Sequence, residues 1–143
     1  MTAVRDRRSR GSGRRNRGLV MKALVVDDSG VIRKIVSRAL NQLNVESVIQ
    51  ADDGHGAVKA VTEHGSDIGV ILLDWNMPNK NGYDALREIR AMGCRTPVIM
   101  VTTEAEKSRV LEAIKAGANN YVVKPFTPDT IQKKVKDTCP QWA

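Results

Sequence analysis

Four apolar runs of the 143-residue sequence end in residues that could do chemistry. Ala23 to Val26 leads into Asp27-Asp28, Val70 to Leu73 into Asp74, Val98 to Val101 into Thr102, and Tyr121 to Val123 into Lys124-Pro125. The set is three carboxylates, a hydroxyl and an ammonium. A single Asp after a strand most often only caps the next helix. Three that converge repel one another unless a cation offsets them. With no Cys or His in the set, the donors are all oxygen and suit a hard cation, with Mg²⁺ the natural candidate. Such a metal beside a Lys and a Thr hydroxyl makes a receptor for a phosphoryl group, held either as a ligand or covalently on one Asp.

These residues matter only if the fold brings the ends of the runs to one rim. Beyond Met21, short apolar runs alternate with segments of helical period, the pattern of repeated βα units around a parallel sheet. The spacing predicts strands at Ala23 to Val26, Val45 to Ile49, Val70 to Leu73, Val98 to Val101 and Tyr121 to Val123. Polar Glu46 and Ser47 mark the second as an edge strand. Ile32, Ile35, Val36, Ala39, Leu40 and Leu43 predict one amphipathic helix, and shorter patterns around Val58, Leu86, Ile114 and Ile131 predict four more. Asp53-Gly54 and Asn81-Gly82 read as turns, Gly117 as a helix C-cap, and Pro140 as the end of the last helix. The fold class is thus α/β, a doubly wound parallel sheet, whose ligand site lies at the carboxyl ends of its strands.

The composition, 41% hydrophobic, 27% charged and 3% aromatic, fits one domain with an aliphatic core and contains no apolar run long enough to span a membrane. The net charge of +7 invites a nucleic-acid reading, yet residues 1–20 hold seven arginines against one acid, leaving +1 for residues 21–143. Residues 1–20 therefore read as a disordered Arg-rich arm, a dispensable extension upstream of Met21, with contact to nucleic acid or another anionic surface as its alternative. Cys94 and Cys139 are isolated and read as reduced thiols of a cytoplasmic protein.

The motifs VVDD at 25–28, LLDWNMPNKNG at 72–82, VTTEA at 101–105 and NYVVKPF at 120–126 resemble the receiver domains of two-component response regulators, and among them the stand-alone chemotaxis type. The resemblance spans about residues 22–138 and implies a flavodoxin-like five-stranded sheet of order 2-1-3-4-5 with five helices. It implies that Asp74 accepts a phosphoryl group from a sensor histidine kinase. Mg²⁺ would sit on Asp28, Asp74 and the main-chain carbonyl of Asn76, with Asp27 acting through water. Lys124 would pair with Asp74 or its phosphate, Thr102 and Tyr121 would act as the switch, and the Lys124-Pro125 bond would be cis. Asn76 and Glu104 would tune dephosphorylation and match the chemotaxis type, whereas Thr103 is bulkier than the small residue common there. The output would be another protein, such as a flagellar motor switch or a further phosphorelay protein, because few residues follow the last helix.

Other classes fare worse. A phosphatase of the haloacid dehalogenase type needs a second Asp where Asn76 stands, and a flavin mononucleotide binder needs a Ser/Thr/Gly-rich loop where Asp27-Asp28 would repel its phosphate. A stand-alone receiver in a non-chemotaxis phosphorelay is the alternative within the family. Asp52-Asp53 reads as a turn and helix cap, and His55 and His64 as solvated helix residues. Lys107, Arg109 and Lys115 could join Tyr121 in a partner-binding face or simply be solvated.

Overall fold

A computed structural model describes residues 21–103 and 105–140. Their chain order is β1 (Met21–Val26), α1 (Gly30–Asn41), β2 (Val45–Ala51), α2 (Gly54–His64), β3 (Ile68–Asp74), α3 (Gly82–Ala91), β4 (Val98–Thr102), α4 (Val110–Ala116), β5 (Asn120–Val123) and α5 (Pro128–Thr138). Short 3-10 turns at Gly65–Asp67 and Lys107–Arg109 precede β3 and α4. All strand pairs are parallel, in the order β2-β1-β3-β4-β5. This is the doubly wound architecture expected from the alternating pattern, with β2 at an edge as its polar middle requires.

Successive residues of a strand face opposite sides of the sheet, and the core divides accordingly. Leu24, Val26, Ile71, Leu73, Val98 and Met100 pack with Ala57, Val61, Leu86, Ile89 and Ala113 on the side covered by α2, α3 and α4. Ala23, Val25, Val70, Leu72, Ile99 and Val101 pack with Val36, Leu40, Ile131 and Val135 on the side covered by α1 and α5. Each large aliphatic side chain buried in this way contributes about 1.5–3 kcal/mol over exposure. Burial on both faces explains why β1, β3 and β4 read as continuous apolar runs.

Helix ends fall where the local chemistry sets them. Ser29, Asp53, Asn81 and Thr127 are N-caps whose side chains accept from the main-chain N–H groups of Ile32, Gly56, Asp84 and Thr130. Gly117 ends α4 at φ 118°, a left-handed conformation costly for any side chain. His55 is exposed and His64 partly exposed, as solvated helix residues should be. Both cysteines are free thiols, Cys139 buried and Cys94 partly so. Among the described residues no helix is long and apolar enough to cross a membrane. The expectations for residues 1–20 lie outside the described residues.

One glycine ties the fold to the strand-end rim. Gly82 opens α3 directly against the end of β3, and its N–H donates to the Trp75 carbonyl at 2.8 Å. A Cβ at this position would overlap the Asp74 carbonyl oxygen and crowd Trp75 Cα at 3.1 Å. Gly82→Ala is therefore expected to destabilise the domain by roughly 2–3 kcal/mol, the cost of overpacking against backbone. It should also weaken Mg²⁺ binding by displacing Asp74. Urea unfolding with and without Mg²⁺ checks both, and an unchanged midpoint contradicts the reading.

Candidate functional site

The sheet register assembles the site. Val26 of β1 lies opposite Leu73 of β3, so the next residues, Asp27 and Asp74, emerge side by side. Asp74 is in turn opposite Val101, and Thr102 opposite Val123, which brings Thr102 and Lys124 onto the same rim. This is the crevice at the carboxyl edge where the strand order reverses. Asp27, Asp74 and Thr102 are 2%, 3% and 0% exposed, whereas Asp28 is exposed.

Carboxylate oxygens of Asp27, Asp28 and Asp74 all lie within 4.8 Å of one another. The Lys124 ammonium stands between two of them, 3.0 Å from Asp27 Oδ2 and 3.3 Å from Asp74 Oδ1. The pairing of Lys124 with Asp74 agrees with expectation; the shorter contact to Asp27 adds to it. Burial foremost, and then the neighbouring Asp27 carboxylate, push the Asp74 carboxyl up to about 6, against the pull of Lys124. Burial alone disfavours the Lys124 charge, but its bonds to Asp27 and Asp74 outweigh this and hold its pKa above the ordinary lysine value. One ammonium faces three acids, so the site keeps an excess of negative charge.

That excess, on oxygen donors two of which are buried, fits Mg²⁺. A second observation points to a further guest: Thr102 Oγ1 is fully buried without a hydrogen-bond partner. A buried hydroxyl left unpaired is costly, and an oxygen-rich group bound beside Asp74 is the kind of partner it lacks.

Supporting residues hold the acids in place, and several escaped the sequence. Asp27 Oδ1 accepts the Ser29 N–H at 2.9 Å, and Arg33 Nη1 donates to the Asp27 carbonyl at 2.7 Å. The only signal for Arg33 was its place one helical turn after the Ser29 cap. Trp75 is 3% exposed, stacks on Tyr83 at 5.5 Å between ring centres, and carries the Arg109 guanidinium 5.0 Å above its ring. Arg109, read from the sequence either as part of a face with Tyr121 or as solvated, lies over Trp75; the cation over the Tyr121 ring is Lys134 of α5, at 4.9 Å. A guanidinium satisfied by an indole face lies lower in energy than one left in solvent, which accounts for the difference.

Tyr121 is half-buried on β5, Asn76 lies exposed two residues past Asp74, and Thr103 is half-buried. Glu104 lies outside the described residues. The Lys124-Pro125 bond is cis. Asp53 serves as a cap, as expected, and also accepts from Asn79 Nδ2 at 3.0 Å. Asp52 is exposed.

The raised Asp74 pKa predicts a stability effect. The folded chain holds this proton more tightly than the unfolded one, whose Asp titrates near the ordinary value of 3.8. The contribution is therefore favourable at low pH and is lost as pH rises towards 6. Above that, the ionised carboxylate costs about 3 kcal/mol. Without Mg²⁺ at about pH 8, Asp74→Asn is expected to stabilise the protein by about 1–3 kcal/mol, and the gain should shrink towards pH 4. Added Mg²⁺ should stabilise the wild type more than the variant. Thermal melts in chelator and in Mg²⁺ test both statements.

Similarity to known proteins converges on one group. The family model for the response regulator receiver domain matches residues 23–136. A chemotaxis protein CheY homolog of Campylobacter jejuni is 44% identical over 119 residues, covering 82% of this chain and 91% of the relative. Chemotaxis protein CheY1 of Helicobacter pylori is 43% identical over 118 residues, covering 81% and 94%. Among solved structures, CheY4 of Vibrio cholerae superposes with a TM-score of 0.75 at 33% identity, covering 83% of this chain and 98% of that one. The receiver domain of Thermotoga maritima CheB gives 0.75 at 29%, covering 85% and 97%. With the strand order and the acid cluster in agreement, the chain belongs to the response regulator receiver domain family.

Proposed function

We propose that this protein is a single-domain response regulator of chemotaxis type, phosphorylated on Asp74. Receiver domains are signalling switches, not enzymes with a turnover substrate. The observation that carries the assignment is the buried Asp74 carboxylate at the end of β3, within 3.3 Å of Lys124 Nζ and beside the unpartnered Thr102 hydroxyl. The chemotaxis pathway is supported by the relatives' names and by the Asn76 and Glu104 matches. A sensor histidine kinase is the natural donor and a flagellar motor switch the natural downstream partner.

In the transfer, an Asp74 oxygen attacks the phosphorus of a phosphohistidine. The new P–O bond forms as the P–N bond breaks, and the departing imidazole takes up a proton. Mg²⁺ held by Asp27, Asp28, Asp74 and the Asn76 main-chain carbonyl would offset charge on the phosphoryl oxygens. Lys124, already between Asp27 and Asp74, supplies a second positive charge without having to be recruited. Ser29 and Arg33 hold Asp27 in register. Thr102 gains a partner for its hydroxyl once a phosphoryl oxygen is present, and this favours one arrangement of the rim over the other. Tyr121, opposite Met100 on the neighbouring strand, follows as part of that switch.

Two experiments test the reading. Acetyl phosphate with Mg²⁺ is expected to add the mass of one phosphoryl group and to change Trp75 fluorescence; Asp74→Asn should abolish both, and an undiminished response in that variant would refute the assignment. Thr102→Val replaces the unpartnered hydroxyl with a methyl of the same shape. It should raise stability by roughly 1 kcal/mol while reducing the fluorescence response to the phosphodonor. A gain of stability with an unaltered response would remove Thr102 from the switch.

A further inference from the structure

Arg109 is placed to connect Asp74 with α4. Its guanidinium lies 5.0 Å over the Trp75 ring and 6.0 Å over Tyr83, while its Nε donates to Glu112 at 3.1 Å. Trp75 is the next residue after Asp74 and is anchored to β4, its N–H donating to the Val101 carbonyl at 2.9 Å. The stacked Tyr83 fixes the indole from the α3 side. Arg109 therefore rests on a platform attached by one peptide bond to the proposed phospho-acceptor.

Thr103, Glu106 and Arg109 are bonded to one another. Glu106 Oε1 accepts both the N–H and the hydroxyl of Thr103, at 3.1 and 2.9 Å. In return the Glu106 N–H donates to the Thr103 carbonyl at 3.1 Å, and the Arg109 N–H to the Glu106 carbonyl at 2.9 Å. Residues joined by four such bonds move more readily together than apart. Thr103 directly follows the unpartnered Thr102 hydroxyl, and Arg109 carries the contact with Trp75. A phosphoryl oxygen that drew Thr102 towards Asp74 would act on Thr103, and through Glu106 on the guanidinium.

We propose that Arg109 is a positioning residue: stacked on Trp75, it holds Glu106 and, through it, Thr103 in the unphosphorylated arrangement, and it is released when Asp74 carries a phosphoryl group. The inference rests on the reading of Asp74 as phospho-acceptor. A contact made in one state only shifts the balance by its own free energy, so its loss favours the other state. A partly exposed cation on an indole gives a factor of roughly three to ten.

The test is a calorimetric titration of Mg²⁺-loaded protein with beryllofluoride, which mimics a phosphoryl group on an aspartyl carboxylate. Arg109→Gln is expected to bind it roughly three- to tenfold more tightly than the wild type. Arg109→Lys, which keeps a cation over the ring, should stay close to wild type. The Arg109 side chain is half exposed, so the variant should fold, and melts in Mg²⁺ alone should show a modest loss for Arg109→Gln that vanishes with beryllofluoride bound. Equal or weaker binding by Arg109→Gln, beside a wild type that binds normally, overturns this inference and leaves the Asp74 reading intact. A wild type that binds no beryllofluoride overturns both.

Discussion

The rest of the site depends on two carboxylates being forced together by sheet register. Because Val26 pairs with Leu73, Asp27 and Asp74 leave adjacent parallel strands at the same level, both almost fully buried. Neither can turn to solvent without breaking the ladder, which continues at Asp27 N–H to the Ala51 carbonyl and at Trp75 N–H to the Val101 carbonyl. Their repulsion must be met where they stand. Lys124 meets it in part from the end of β5, and its ammonium can reach both because β4 and β5 carry the same register across the sheet. The remainder of the negative charge suits the rim to a divalent cation.

How far the sequence discloses this depends on the kind of interaction. Apolar periodicity is a property of one segment at a time, so the strands and helices could be read directly, with β3 running two residues earlier than its all-aliphatic stretch because Ile68 and Gly69 are also buried. The rim residues were legible because each ends or directly follows a strand, and parallel strands deliver their ends to one edge. Cross-sheet contacts between side chains were not. That Lys124 sits nearer Asp27 than Asp74, and that Arg33 reaches back to the Asp27 carbonyl, depends on rotamers and on α1 packing that no spacing rule encodes. The contact of Arg109 with Trp75 and Tyr83 was not legible for the same reason: charge on a helix surface reads as solvated until an aromatic face is found beneath it.

The large net charge has little to do with this chemistry. Lysine and arginine in the described residues are mostly engaged locally: Arg90 donates to the carbonyls of Cys94, Thr96 and Gly117, and Lys80 pairs with Glu88. Arg90 ties the end of α3 to the entrance of β4 and the end of α4. It anchors the amino-terminal end of the sheet, opposite the rim.

Several features of the rim lower stability: a carboxyl with its pKa raised to about 6, a second buried carboxylate beside it, and a buried hydroxyl with no partner. An ordinary core position would relieve each by a hydrogen bond or an apolar replacement, at a gain of about 1–3 kcal/mol. Here they share one remedy, since a cation and an oxygen-rich anion bound together would neutralise the acids and satisfy the hydroxyl at once. A site whose unfavourable terms are cancelled by its ligands gains part of the relieved free energy in binding them. It also distinguishes bound from free more sharply than a relaxed site could. The two aliphatic layers on either face of the sheet supply the stability that lets the rim stay poised in this way.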